Sequence, residues 1–372
     1  MGEEVKHSPF ERDILRVRRM EFKGMCTAIG SLPHQDAERA CEIVLESFPQ
    51  IPAWPQLPRL NLRENMYIQV SEGMPCIVLD EKKRTVYFQT KGDIEGELEK
   101  FYEKIIENRV DYFKIGQDYA VGFYSFMELL RKNLSKQEAR AGILALKGQL
   151  IGPISFGLTV TDENRKSILY HEQLVDAVVK TCGMKARWQV IKMKGVFPQI
   201  IIFIDEPYLS SFGSAFVSLG RDEVVDYLNQ VIDSIKLEGA IAGIHCCGNT
   251  DWSILMDTKV EIISFDAYNY LETISLYPEK LKEFLSQGRY LAWGIVPASS
   301  RAMAEEIESL IKRFEDGLKL LVSKGISRGT ILENLLITPS CGTGTLPVEV
   351  AEKVVKLTRG VSDGIRDRYF RG

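Results

Sequence analysis

The segment Ile241 to Trp252, IAGIHCCGNTDW, sets His245, Cys246 and Cys247 in a row at the end of an apolar run. The whole chain holds four histidines and seven cysteines, so this stretch concentrates scarce donors. In an extended chain, residues two apart share a face. His245 and Cys247 therefore point together, and Cys246 points the other way as a structural residue. A neutral imidazole and a thiolate suit zinc, and Cys341 in SCGTGT offers a second thiolate, with Asp266 in ISFDA as a fourth, weaker donor. Structural zinc sites usually show paired Cys-x-x-Cys knuckles, which this chain lacks; three ligands with an open fourth position describe a catalytic ion. Two thiolates make such an ion a poor activator of water. It is better suited to binding an incoming thiol, which loses its proton on coordination and becomes a nucleophile at neutral pH. Thiol alkylation is the chemistry these residues imply.

Such donors converge only if strands deliver them to one rim. Eight apolar runs read as strands: 25–31, 143–148, 153–159, 198–205, 239–246, 260–266, 290–296 and 334–339. Between most of them lie segments with apolar recurrences at three and four, such as RDEVVDYLNQVIDSIK, which read as helices. Near-continuous apolar strands alternating with helices imply a parallel sheet covered on both faces. In 372 residues, eight such units predict a single α/β domain, a closed (β/α)8 TIM barrel spanning 1–372. No Gly-x-Gly-x-x-Gly follows the first strand, which argues against a dinucleotide fold. Residues of about 50–120 break the rhythm with IPAWPQLPRL and with PCIVLDEKKRTVYFQT, a hairpin pattern. They are expected to form an insertion after the first βα unit, a flap or docking surface with Trp54 at or near its exterior. Barrel active sites lie at the C-terminal strand ends. Those ends here carry Gly30 and Ser31, Asp205 and Glu206, His245 and Cys247, Asp266, and Cys341.

Composition bounds the partners. A net charge of −4 with dispersed Lys and Arg gives no nucleic-acid surface. The charged start MGEEVKHSPFERD has neither a signal-peptide core nor, with Lys6, the myristoylation pattern. No window holds the roughly 18 apolar residues of a membrane span, and the odd cysteine count argues against a disulfide framework, so a cytoplasmic protein is expected.

Six segments, in order, resemble the catalytic barrel of cobalamin-independent methionine synthase: TAIGSLPHQD, LKGQLIGPISF, FIDEPYL, IHCCGNT, ISFDA and ITPSCGTGT. His-x-Cys with a distant Cys is also similar to the zinc pattern of methylcobalamin:coenzyme M methyltransferases, and uroporphyrinogen decarboxylases share the barrel. The resemblance implies zinc on His245, Cys247 and Cys341, with Asp266 where the family has a glutamate. It implies that the backbone of Ile29, Gly30 and Ser31 holds homocysteine, and that Asp205, followed by Glu206, pairs with its ammonium.

Two departures shape the expected donor. Thr159 stands where the family has a folate-binding tryptophan, and Val296, Pro297 and Ala298 stand where it has a proton-donating histidine. Expelling tetrahydrofolate needs a general acid, whereas a corrinoid leaves without a proton. The expectation is a zinc methyltransferase converting homocysteine to methionine with methylcobalamin or a corrinoid protein as donor. A coenzyme M methyltransferase is the alternative. A uroporphyrinogen decarboxylase-like enzyme or a non-catalytic zinc-bearing partner of a corrinoid protein ranks lower.

Overall fold

The computed structural model describes residues 20–134, 142–213 and 218–371. The N-terminal segment on which signal and lipidation patterns were judged lies outside them. Among the described residues no helix is long and apolar enough to cross a membrane.

Six parallel strands lie side by side in chain order: β3 (Leu146–Ile151), β4 (Ile200–Asp205), β5 (Ile241–Cys246), β6 (Ile262–Phe265), β7 (Tyr290–Val296) and β8 (Leu335–Pro339). Every residue in them is buried. Long helices cover the sheet, including Glu172–Lys194, Arg221–Leu237, Ile307–Ser323 and Val348–Tyr369. Alternation along each strand divides the core in two. Ile200, Ile202 and Ile204 belong to the large cluster that includes the helices. Ile201 and Phe203 pack instead with Ala145, Ile241, Ile262, Ala292 and Leu336, all supplied by strands or their flanks. A sheet face that packs on its own residues is a curled, concave face.

The sheet edges are met by extended chain rather than by further ladders. At β3, Lys147 N donates to Pro52 O at 2.9 Å and Trp54 N donates to Lys147 O at 3.1 Å. At β8, Ile337 N donates to Met25 O at 2.9 Å and Thr27 N to Ile337 O at 3.1 Å. The two edge segments touch where Gln56 N donates to Gly30 O at 3.1 Å. Residues 25–31 thus make isolated bridges, at Cys26 and Ser31, where a full strand was expected.

The segment 153–159 is a helix, Pro153–Thr159, and not a strand. Pro153 opens it, and the Glu206 carboxylate accepts from the N–H groups of Ile154 at 3.0 Å and Ser155 at 2.7 Å. That cap comes from 51 residues beyond Ser155, so local periodicity misreads the segment. The hairpin forms as expected, with β1 (Ile77–Asp80) antiparallel to β2 (Thr85–Phe88).

Trp54 is not a surface residue. It is fully buried, its indole N–H donates to Gln189 Oε1 at 2.9 Å, and Phe123 meets it edge-on with ring centroids 5.6 Å apart. The proline-rich segment is therefore fastened to the sheet. Trp54→Ala should destabilise the protein by about 3–5 kcal/mol. Trp54→Phe, which loses the indole bond but keeps most of the volume, should cost about 1–2 kcal/mol in denaturant unfolding.

Candidate metal centre and acceptor pocket

β5 and β6 pair with His245 opposite Ser264. His245 Nδ1 lies 3.0 Å from Ser264 Oγ, and both residues are buried. With that nitrogen engaged, Nε2 is buried with no hydrogen-bond partner. The ligand atoms of His245, Cys247 and Cys341 all lie within 4.8 Å of one another. Cys246 faces the large helix-covered core, fully buried, and burial pushes its thiol up to about 12. Strand alternation divides the residues as the sequence implied.

The two sulfurs of the cluster share a proton. Cys247 is held far below the ordinary thiol range, first by a hydrogen bond from Cys341, with burial opposing and His245 assisting. Cys341 moves well above that range, first through the same bond and then through burial. An orphaned imidazole nitrogen beside a monoprotonated thiol pair fits a thiophilic divalent ion. Cys341 is set by its loop: Ser340 N donates to Val296 O at 2.8 Å, and Thr343 N to Ser31 O at 3.0 Å. Gly342 allows this approach, since a Cβ there would stand 2.3 Å from Ser31 Oγ.

Asp266 is placed differently from the ligand role expected of it. It caps the helix Ala267–Ile274, with Oδ1 accepting from Asn269 N at 2.9 Å and Oδ2 from Asn269 Nδ2 at 2.7 Å. Its carboxylate feels His245 and Cys247 but lies outside their cluster. Glu206 is fully buried on the helix cap described above, and burial raises it to about 7; it does not line the pocket.

A cavity of about 300 Å³ opens in front of the cluster. Ile29 and Ser31 line it together with Asp205, His245, Cys247 and Cys341, and Gly30 sits between the first two. Asp205 is 6% exposed, and its Oδ1 is buried without a hydrogen-bond partner. Burial raises this carboxyl to about 6, against the pull of His245 and Lys147. The insertion supplies the remaining wall, including Glu64, which sequence reasoning missed. Glu64 is 1% exposed, accepts from Leu57 N at 3.2 Å and Val121 N at 2.5 Å, and is raised by burial to about 7. Nothing in the run NLREN marks it, because its burial depends on segments folded over it. Lys147, fully buried on β3, was missed for the same reason.

No protein-family model matches the chain. Methionine synthase from Methanocaldococcus jannaschii is 23% identical over 304 residues, covering 78% of this chain and 88% of that protein. The solved structure of a B12-independent methionine synthase from Shewanella sp. W3-18-1, in complex with selenomethionine, matches with a TM-score of 0.55 and 17% identity. That match covers 94% of this chain and 99% of the other. Fold, site and relatives together define an enzyme of the methyltransferase class. Within that class the chain is methionine synthase-like, as its six segments implied.

The corrinoid donor and corrinoid-protein partner are corrected by the same comparison, since the structure sharing this fold is that of a B12-independent enzyme. The coenzyme M alternative, which needed the same donor, falls with them, and the non-catalytic reading falls with the enzyme class. The expectation rested on two absent side chains, and an absence in sequence does not say what fills the space. At Thr159 the neighbour is an aromatic from the insertion: Tyr67, whose hydroxyl feels the Thr159 side chain, packs 6.5 Å from Phe156, centroid to centroid.

Titration with Zn2+ or Co2+ should load one ion per chain and, near neutral pH, release about one proton from the cluster, because Cys247 is already a thiolate. His245→Ala and Cys247→Ala should abolish loading, while Asp266→Ala should retain it; metal analysis and an indicator dye read both outcomes.

Proposed function

We propose that this chain is a zinc-dependent thiol S-methyltransferase that converts homocysteine to methionine with a non-corrinoid methyl donor, such as the methyl-folate of the family its segments resemble. The observation that carries this is the His245, Cys247 and Cys341 cluster facing a pocket walled by Asp205 and Glu64. Zinc held there would supply a site at which the acceptor thiol sheds its proton and stays nucleophilic. His245, oriented by Ser264, would present Nε2 to the ion, as ligating imidazoles do when their other nitrogen is engaged.

The chain's own groups account for the choice of acceptor. Asp205, with an unpartnered oxygen, and Glu64, which lines the same pocket, offer negative charge to an ammonium group. A sulfonate would be repelled there, which favours homocysteine over coenzyme M. The carbonyls of Gly30 and Ser31 are tied to Gln56 N and Thr343 N, while the N–H groups of these two residues have no partner among the described residues. Those donors suit the acceptor's carboxylate.

The same proposal takes the six-stranded sheet as the regular part of one closed (β/α)8 barrel domain. Residues 25–31 and 51–54 serve as its irregular strands, residues 50–120 are its insertion, and its setting is the cytoplasm. The edge hydrogen bonds of Lys147 and Ile337 support that reading.

Zinc-loaded protein should form methionine from homocysteine and methyl-tetrahydrofolate with no corrinoid present. Turnover only when methylcobalamin is added would overturn the donor. Asp205→Asn should raise the homocysteine KM about 10- to 100-fold, the loss of a charged hydrogen bond, with zinc content unchanged.

A further inference from the structure

Lys147 is a fully buried lysine on β3, at the edge of the six-stranded sheet. Lysine is almost never fully buried unless paired, and an apolar side chain of similar volume is often at least as stabilising. A lysine kept there, with burial pushing its ammonium down to about 7, therefore calls for a reason. The residue lies on the concave face, two along from Ala145, with its ammonium 4.3 Å from the centre of the Phe203 ring. The ammonium donates to Ile29 O at 2.6 Å and to Gln149 Oε1 at 3.2 Å.

Gln149, two residues on and on the same face, extends the contact. Its Nε2 donates to Trp54 O at 2.9 Å, and its backbone carbonyl accepts from Gln189 Nε2 at 3.2 Å. Gly30 lies directly on this side chain. A Cβ on Gly30 would fall 2.5 Å from Gln149 Cδ, and the glycine has φ +153°, in a region other residues rarely adopt. The carbonyls of residues 29, 30 and 31 are thus each fastened, by Lys147, Gln56 N and Thr343 N respectively. Ser31 O also accepts from Thr343 Oγ1 at 3.0 Å, and the bond from Lys147 is the side-chain contact that holds the Ile29 carbonyl.

We propose that Lys147 and Gln149 are positioning residues that press the Ile29–Ser31 backbone into the shape that receives the carboxylate end of the acceptor thiol. They set the preference for a carboxylate-bearing thiol over a bare one and touch neither the sulfur nor the metal ligands. This rests on the acceptor pocket proposed above. Position, rather than charge, is the claim, so neutralising Lys147 and trimming neutral Gln149 must act alike.

The test uses the full chain loaded with Co2+, in which thiol binding is read from the thiolate-to-cobalt absorption. The probes are 4-mercaptobutyrate and 1-propanethiol, which differ in the carboxylate and share the chain that carries the sulfur. The first lacks the amine that Asp205 and Glu64 are proposed to hold, so no ammonium contact enters the comparison. Lys147→Met and Gln149→Leu should each weaken 4-mercaptobutyrate about 10- to 100-fold, leave 1-propanethiol within about 2-fold, and leave cobalt content unchanged.

Equal weakening of both thiols, or no weakening of 4-mercaptobutyrate, overturns the proposal, as does an effect confined to Lys147→Met, which would mark a charge effect. Should Lys147→Met fail to fold, Gln149→Leu decides by the same ratio. Unmodified protein that holds no cobalt, or does not favour the carboxylate-bearing thiol, overturns the acceptor pocket itself and the inference with it. Unmodified protein that discriminates, with variants that discriminate equally, overturns the inference alone.

Discussion

Register between two parallel strands decides what the imidazole of His245 can do. Because β5 and β6 pair residue 245 with residue 264, a serine hydroxyl stands 3.0 Å from Nδ1, and the other nitrogen is left buried and unpartnered. A slip of two residues would oppose the imidazole to another side chain and leave its tautomer free. The two thiols gain meaning only relative to that fixed nitrogen. Cys247 leaves the same strand two residues later, and Cys341 arrives from the end of β8 on a loop stitched to Ser31.

The concave face is apolar at Ile201, Phe203 and Ile262, with Lys147 and Gln149 on β3 opposite the first two. Asp205 and His245 stand side by side near the ends of β4 and β5, with Ser264 beside His245. Polar groups this deeply buried must pair or remain in want of a partner. Lys147, Gln149 and Ser264 are paired. Asp205 Oδ1 and His245 Nε2 are not, and both residues line the pocket. The unsatisfied atoms thus gather where an ion and a charged acceptor would complete them. The insertion closes the arrangement, since its buried glutamate and its Tyr67 stand over strand ends that would otherwise face water.

The corrected expectations share a cause. The segment 153–159 was read as a strand because its cap, Glu206, is distant in sequence. Glu206 and Asp266 were read as site residues because they follow strands, yet each satisfies backbone N–H groups at a helix start. The donor was inferred from positions 159 and 296–298 alone, although another part of the chain supplies the aromatic beside Thr159.

What the sequence by itself determined is the chemistry within single elements. The two-residue period of a strand separates Cys246 from His245 and Cys247, and alternating apolar runs announce a parallel α/β sheet, because both are local consequences of backbone geometry. The segments themselves carried the likeness to methionine synthases. Only the tertiary structure decided which carboxylates are free and which are caps, that Trp54 is buried, that Glu64 lines the pocket, and that Lys147 is buried against the Ile29 carbonyl. Those properties depend on what lies across from a residue, and burial and hydrogen-bond partnership are set by elements far apart in the chain.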